Sequence, residues 1–242
     1  TVTATDGTYS VEQAITVSIN DADDTAPTFT SSSTFSVEEN TEAIGTVTAT
    51  DADTDDSSIV FSISGSDISI DSSTGEMTFN SAPDYETQTS YSVTVTASDG
   101  TNSAEQAITV LISNINDETP SFTSSSTFSA DENQTAIGTV VATDADGDTL
   151  TYSITGSDIS IDSSTGVITF NSAPDYETQT SYSATVTATD GTNSAEQVIT
   201  VSINDVDDTA PTFTSSSTFN VVENETAIGT VTATDIDSDD SS

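Results

Sequence analysis

Tyr91-Ser92-Val93-Thr94-Val95-Thr96-Ala97 places an apolar side chain at every second position and a hydroxyl at each position between. Successive side chains of an extended backbone point to opposite faces, so this run reads as a strand with one buried and one hydrated face. Ile44, Val47 and Ala49 sit among threonines in a similar way, Ile108, Val110 and Ile112 continue the period, and Ile199, Val201 and Ile203 repeat it. Half-buried antiparallel sheets have this pattern, and Thr, Val, Ile and Tyr suit a pleated surface. Turn signals separate the runs at Gly65-Ser66-Asp67, Ser73-Thr74-Gly75, Ala82-Pro83-Asp84 and Asp99-Gly100. No stretch carries a 3.6-residue period long enough for a helix.

The strands belong to an internal repeat. Residues 28–118 align with 121–209, so that Phe29 matches Phe122, Asp51 matches Asp144 and Asp99 matches Asp190. The length difference falls between Asp51 and Gly65, where a turn absorbs it. About seven strands in roughly 92 residues predict a β-sandwich of immunoglobulin-like shape. Three acidic segments punctuate the array: Asp21-Ala22-Asp23-Asp24-Thr25-Ala26-Pro27, Asn114-Ile115-Asn116-Asp117-Glu118-Thr119-Pro120 and Asp205-Val206-Asp207-Asp208-Thr209-Ala210-Pro211. The expected division is therefore 1–27 as the C-terminal part of a preceding repeat, 28–120 and 121–211 as complete repeats, and 212–242 as the N-terminal part of another. Residues 1–20 match 94–113 and Ser242 corresponds to Ser58, so the chain is expected to be a window on a longer array.

With 41 acids and no Lys, Arg or His, the formal charge is −41. Nucleic acid and anionic membrane surfaces are repelled, and a cation is the natural counterpart. Low hydrophobicity with high net charge is a signature of disorder, but the periodic apolar residues argue for folded sheets. There is no Cys to build a disulfide framework, and no apolar run approaches the ~20 residues that span a bilayer.

The acids recur at five places in each full copy: Glu38-Glu39-Asn40, Asp51-Ala52-Asp53, Asp84-Tyr85-Glu86, Asp99-Gly100 and the middle acidic segment; then Asp131-Glu132-Asn133, Asp144-Ala145-Asp146, Asp175-Tyr176-Glu177, Asp190-Gly191 and the last segment. On extended chain, Asp-x-Asp and Asp-x-Glu put both carboxylates on one face. Such crowding is relieved by a hard cation with about 6–8 oxygen ligands, which favours Ca²⁺ over the stricter octahedral Mg²⁺. Catalysis is not expected. Without His, Cys, Lys or Arg there is no conventional nucleophile–base pair, and Asp84 and Glu86 stand side by side rather than flanking a sugar bond. Asp144 to Asp148 begins like an EF-hand loop, but Thr149 and Thr155 occupy the positions that need Gly and Glu.

Glu-Asn after the first strand, Asp-Ala-Asp after the second, Asp-x-Glu, Asp-Gly and a closing acidic segment ending in Pro together resemble the calcium motifs of cadherin repeats, of the kind carried by bacterial-type surface adhesins or filaments. The resemblance implies an all-β fold: tandem immunoglobulin-like, Greek-key sandwiches joined by calcium-binding linkers, with up to three Ca²⁺ per joint. It assigns Asp21, Asp23, Asp24, Asp51, Asp53 and Asp99 to the first joint. The middle joint takes Glu39, Asp84, Glu86, Asn114, Asn116, Asp117, Asp144, Asp146 and Asp190, with the carbonyls of Ile115 and Glu118. The last takes Glu132, Asp175, Glu177, Asp205, Asp207, Asp208, Asp235 and Asp237, and Glu223 is the corresponding glutamate of the third copy. Glu38, Asp131 and Val222 stand where the family usually has Pro, and Tyr85 and Tyr176 where it often has Arg; neither change removes an oxygen. The sequons at Asn133 and Asn224 fall inside the Glu-Asn motif, where a glycan would crowd the joint, and Ser31–Thr34 and Ser124–Thr127 read as hydrated strand faces.

The expected function is a calcium-rigidified extracellular structural array, a stalk or filament segment of a cell-surface adhesin. Its partners would be further copies of the repeat in cis, then self-association into filaments or cell-surface ligands, without nucleic acid or membrane insertion. The alternative is a calcium-dependent homophilic or carbohydrate-binding module. The absence of Trp and the placement of Tyr at core or joint positions weigh against that alternative.

The assigned ligands predict unequal joints. The middle set holds seven carboxylates; the last, completed by the aspartate of the next Asp-Gly turn, holds nine. Calcium affinity rises with ligand charge, so the middle joint is expected to bind its weakest ion less tightly and to soften first as Ca²⁺ falls, within the roughly 10⁻⁴–10⁻³ M range of extracellular modules. Asn114→Asp should narrow the gap. Calorimetric titration of two-repeat fragments spanning each joint checks this; equal affinities, or a tighter middle joint, mean that geometry outweighs charge.

Overall fold

Alternating Val and Thr favour extended backbone only if the apolar face finds a second sheet to cover it. In the computed structural model, which describes residues 1–19, 22–53 and 59–237, two such sandwiches form. The chain divides into two compact units, Thr1–Ile115 and Asn116–Ser242, and no helix occurs among the described residues.

In the first unit, one sheet has the order Thr34–Glu38, Ser103–Ser113, Ser90–Ser98, Val60–Ile63. Its first pair is parallel and the others antiparallel. The facing strands are Ala43–Thr46, Glu76–Phe79 and Ile68–Ile70, with Thr28–Phe29 paired to Ala49–Thr50. Val47, Met77, Val95, Ile108 and Val110 are fully buried between the sheets. Phe79 meets Tyr91 edge-on at a centroid separation of 4.9 Å, the arrangement ring quadrupoles favour. Ahead of this sandwich, Val2–Thr5 and Ser10–Gln13 form an exposed hairpin.

Two of the predicted strands are each broken in two. Thr30 and Ser31 donate backbone N–H groups to Thr48 in one sheet, whereas Thr109 donates to Ser33 from the other. The chain therefore changes sheets at Ser31–Ser33, and the Ser32 hydroxyl accepts the Thr34 N–H at 3.0 Å to hold the corner. The serine run is a strand switch as well as a hydrated face. The second break falls between Ala43–Thr46 and Ala49–Thr50, which pair in different sheets, and the first of these also carries a register shift between Ala43 and Gly45.

The second unit repeats the plan. Thr127–Asp131, Ser194–Asn204, Ser181–Thr189 and Thr151–Ile154 form one sheet; Ala136–Thr139, Val167–Phe170 and Ile159–Ile161 form the other. Val140, Ile168, Val186, Ile199 and Val201 are fully buried, and Phe170 meets Tyr182 edge-on at 5.0 Å. Beyond this core, Thr212–Phe213 pairs with Ala233–Thr234, leaving Phe213, Val222 and Ile228 exposed.

The turn Asp162–Gly166 meets the opposite sheet as well as its own, its Ser163 carbonyl accepting Tyr152 N–H. Gly166 has φ 71°, its N–H donates to Asp162, and its carbonyl accepts Val140 N–H. A Cβ there would lie 2.2 Å from the Val140 oxygen, whereas one at Gly147, with φ 83°, would meet nothing within 4 Å. Gly166→Ala is therefore expected to destabilise the second unit by at least the roughly 1–3 kcal/mol of a left-handed non-glycine residue, and by more than Gly147→Ala. Urea unfolding of both variants in calcium-free buffer measures the difference.

Candidate metal centre

A parallel strand pair brings each Glu-Asn motif inward. Thr127–Asp131 runs beside the end of Ser194–Asn204, and Glu132 continues the pairing by donating its N–H to Asn204. Asn133 then turns left-handed at φ 60° and donates its N–H to Pro174, a conformation asparagine tolerates better than most residues. The reversal leaves Glu132 only 2% exposed. Its Oε1 accepts Val206 N–H at 2.8 Å and its Oε2 accepts Tyr176 N–H at 2.9 Å. The first unit does the same with Glu39, which accepts Ile115 N–H at 2.9 Å and Tyr85 N–H at 2.8 Å, while Asn40 has φ 61°. Each glutamate thus staples the start of an acidic segment to the Asp-x-Glu loop.

Around Glu132 the second unit collects the last joint. Glu132, Glu177 and Asp205 present carboxylate oxygens within 4.8 Å of one another, and so do Glu177, Asp208 and Asp237. Glu177 belongs to both groups. Asp237, 5% exposed, accepts Asp208 N–H at 3.1 Å and Thr209 N–H at 2.8 Å through Oδ2. Asp235 accepts Asp237 N–H at 3.2 Å. Asn133 donates its side-chain Nδ2 to Asp208 at 2.6 Å, so the sequon nitrogen is already engaged in the joint. The Thr178 hydroxyl donates to Asp175 at 2.9 Å and is the leading cause that lowers its pKa. Asp207 and Glu223 are exposed and lie in neither carboxylate group.

The Asp-x-Asp turns have a common construction. Asp144 accepts Asp146 N–H at 3.0 Å, and Asp146 accepts Asp117 N–H at 3.1 Å and Glu118 N–H at 2.9 Å. Asp190 accepts Thr192 N–H at 2.6 Å and Asn193 N–H at 2.7 Å. Burial raises its pKa, but the backbone donors of Asn193 and Thr192 prevail and hold it low. Asp148 joins Asp144 and Asp146 within 4.8 Å.

In the first unit Asp51 accepts Asp53 N–H at 2.9 Å, and Asp53 accepts Thr25 Oγ1 at 2.6 Å and the N–H groups of Thr25 and Asp24. The Thr25 hydroxyl leads the causes that lower the Asp53 pKa. Asp99 accepts Thr101 N–H at 2.7 Å and Asn102 N–H at 2.6 Å, and Asp23 lies near the Asn102 amide. Asp84 accepts Thr87, while Glu86 and Asn114 are exposed. Asp21 lies outside the described residues.

One oxygen of many of these carboxylates is satisfied and the other is not. Asp99 Oδ2, Asp144 Oδ2, Glu177 Oε1, Asp190 Oδ2, Asp235 Oδ2 and Asp237 Oδ1 are buried without a hydrogen-bond donor. An anionic oxygen sealed from water without a partner is unfavourable, and this chain has no Lys, Arg or His to supply a counter-charge. An all-oxygen donor set of this kind fits a hard cation such as Ca²⁺. The sequence reading missed Asn102 and Asn193, which contact the acidic segments within their own units; their recurrence three residues after Asp99 and Asp190 was the available signal.

The Cadherin domain family model matches residues 33–115 and 126–204. Protocadherin-11 X-linked of Pongo pygmaeus is 34% identical over 220 residues, covering 81% of this chain and 16% of that protein. Protocadherin Fat 4 of Mus musculus is 33% identical over 223 residues, covering 84% of this chain and 4% of that protein. The chain thus spans a small part of these curated relatives. The mouse cadherin-23 EC22-24 crystal structure matches with TM-score 0.67 and 27% identity over 88% of this chain and 79% of that one. The protocadherin gammaB7 EC3-6 cis-dimer structure matches in fold, with TM-score 0.77 and 24% identity over 90% of this chain and 63% of that one. These matches are to animal cadherins and give no support to a bacterial-type origin.

Glu177 reports on the charge balance. Against a lowering by its own backbone N–H, burial and the charges of Glu132, Asp237 and Asp205 raise its pKa. A carboxyl raised in the folded state adds stability below its unfolded pKa and loses it as pH rises through the folded value. At neutral pH without metal its charge therefore opposes folding. Glu177→Gln is expected to raise the thermal midpoint in chelator and to lower it in millimolar Ca²⁺. Scanning calorimetry in both buffers tests the reversal of sign.

Proposed function

The chain belongs to the cadherin family, and from that premise we propose that it is a calcium-stiffened, non-catalytic segment of an extracellular adhesion array. In this reading 28–120 and 121–211 are successive repeats, and 1–27 and 212–242 carry the matching portions of flanking ones. The observation that carries the reading is the set of buried, donorless carboxylate oxygens in a chain without a basic side chain. At the last joint Glu132, Asp175, Glu177, Asp205, Asp208, Asp235 and Asp237 would hold Ca²⁺, and Asp207 would contribute from the exposed side. The ions would supply positive charge that relieves carboxylate repulsion and links segments otherwise joined only by a short acidic stretch. The protein's own part is to fix one oxygen of Asp144, Asp190 and Asp237 with backbone N–H groups, so that the other is oriented before metal arrives.

Self-association is the partner class that the reading favours. The gammaB7 relative of similar fold is a cis-dimer, and near-identical repeats suit an element that sets length. A net charge of −41 keeps copies apart in the absence of divalent cations, so association would also depend on calcium.

Small-angle scattering of the purified chain tests the proposal. In millimolar Ca²⁺ the maximum dimension should be long and narrowly distributed. Chelation should broaden the distribution while far-ultraviolet circular dichroism retains its β signal, and Asp146→Ala should reproduce part of the broadening with calcium present. Scattering curves that superimpose with and without calcium would overturn the reading.

A further inference from the structure

Asn193 is not acidic and lies outside the recurring carboxylate motifs, yet it joins three oxygen groups of the acidic sites within its unit. Its Nδ2 donates to Asn116 Oδ1 at 3.1 Å and to the Glu118 carbonyl at 3.0 Å. Its backbone N–H donates to Asp190 Oδ1 at 2.7 Å. Its carbonyl accepts Asp190 N–H at 3.3 Å and Thr189 Oγ1 at 2.7 Å, closing the hairpin. The side chain therefore ties the acidic segment to the same turn that carries Asp190.

The contacts have a direction. A peptide carbonyl can only accept, so Glu118 fixes the Asn193 amide with its nitrogen toward the acidic segment. That nitrogen in turn can only donate, so Asn116 must face it with oxygen rather than NH₂. The Asn116 oxygen keeps a second lone pair for a cation, whereas a reversed amide would offer a donor that repels one. The first unit supplies an internal comparison. There Asp23 replaces Asn116, and either carboxylate oxygen serves equally. Asn102, the counterpart of Asn193, approaches Asp23 more loosely, at 3.4 Å from Oδ1 and 3.5 Å from the carbonyl, while its backbone N–H still holds Asp99 at 2.6 Å.

We infer that Asn193 is a positioning residue that turns the Asn116 amide so that its oxygen, not its nitrogen, is available as a calcium ligand. This rests on the calcium reading above and adds the reason an asparagine can stand where the first unit has an aspartate. Partners that orient metal ligands are commonly worth about 10–100-fold in affinity; one amide contact belongs at the lower end.

The experiment uses the full chain, with calcium chloride as the probe. Asn193→Ala is expected to weaken calcium binding by about tenfold in calorimetric titration, and Asn193→Asp by at least as much, because a carboxylate at 193 would draw the Asn116 NH₂ toward itself. Introducing Asn116→Asp should abolish the effect of Asn193→Ala, since a carboxylate has no wrong way round. In chelator, the Asn116 side-chain amide resonances should move in Asn193→Ala while the thermal midpoint holds. If Asn193→Ala binds calcium as the parent does, or loses as much affinity in the Asn116→Asp background, the inference is overturned while the calcium reading stands. A parent chain that takes up no calcium overturns both.

Discussion

Everything at the joints depends on carboxylates that the backbone turns inward in a chain with no cation of its own. Glu132 and Asp237 are almost completely buried, and neither faces a Lys, Arg or His because none exists. Backbone N–H groups hold one oxygen or both, which is enough to orient the anion but not to neutralise it. Such a site is pre-strained electrostatically: folding collects like charges that the chain has no basic side chain to offset. The sandwiches carry the cost through apolar cores rich in Val, Ile and Phe, against which Tyr85 and Tyr176 of the Asp-x-Glu loops also pack.

The β-architecture was legible because its cause is local. Alternation in Tyr91–Ala97 and Ile108–Ile112 follows from which side chains face the core, and the structure buries Val95, Ala97, Ile108, Val110 and Ile112 accordingly. The switch at Ser31–Ser33 was not legible. It comes from backbone bonds to Thr48 on one side and from Thr109 on the other, partners remote in sequence that no local pattern encodes. The same limit explains Asn193. Its sequence context, Asp190-Gly191-Thr192-Asn193, reads as an ordinary turn, and its side-chain partners lie more than seventy positions away at Asn116 and Glu118.

The two copies show how much variation the design tolerates. Phe61 in the first core becomes Tyr152 in the second, and the added hydroxyl finds the Ala142 N–H at 3.0 Å. The ring keeps its place and the new polar atom is satisfied, so the exchange leaves no buried orphan. At the joints, Asp23 and Asn116 are exchanged under a different rule: the amide needs a neighbour to set its direction, and the carboxylate does not. Core positions are thus conserved in shape and satisfaction, joint positions in oxygen supply.

Satisfaction also separates the acids that build the site from those that only build turns. Asp162 is as acidic as Asp190 and also follows a strand, but one of its oxygens accepts Ser164 N–H and Oγ and Thr165 N–H and Oγ1, all near 2.9 Å. With the Ser164 hydroxyl foremost, these donors lower its pKa to about 2, and the residue is exposed. Asp71 repeats this in the first unit. Such an acid needs nothing from solution: donors meet one oxygen and water reaches the residue. Asp190 accepts two backbone N–H groups on one oxygen and keeps the other buried and bare. Composition cannot distinguish the two, since both are aspartates beside hydroxyl-rich turns. What distinguishes Asp162 from Asp190 is whether the second oxygen is left to water or buried without a hydrogen-bond donor.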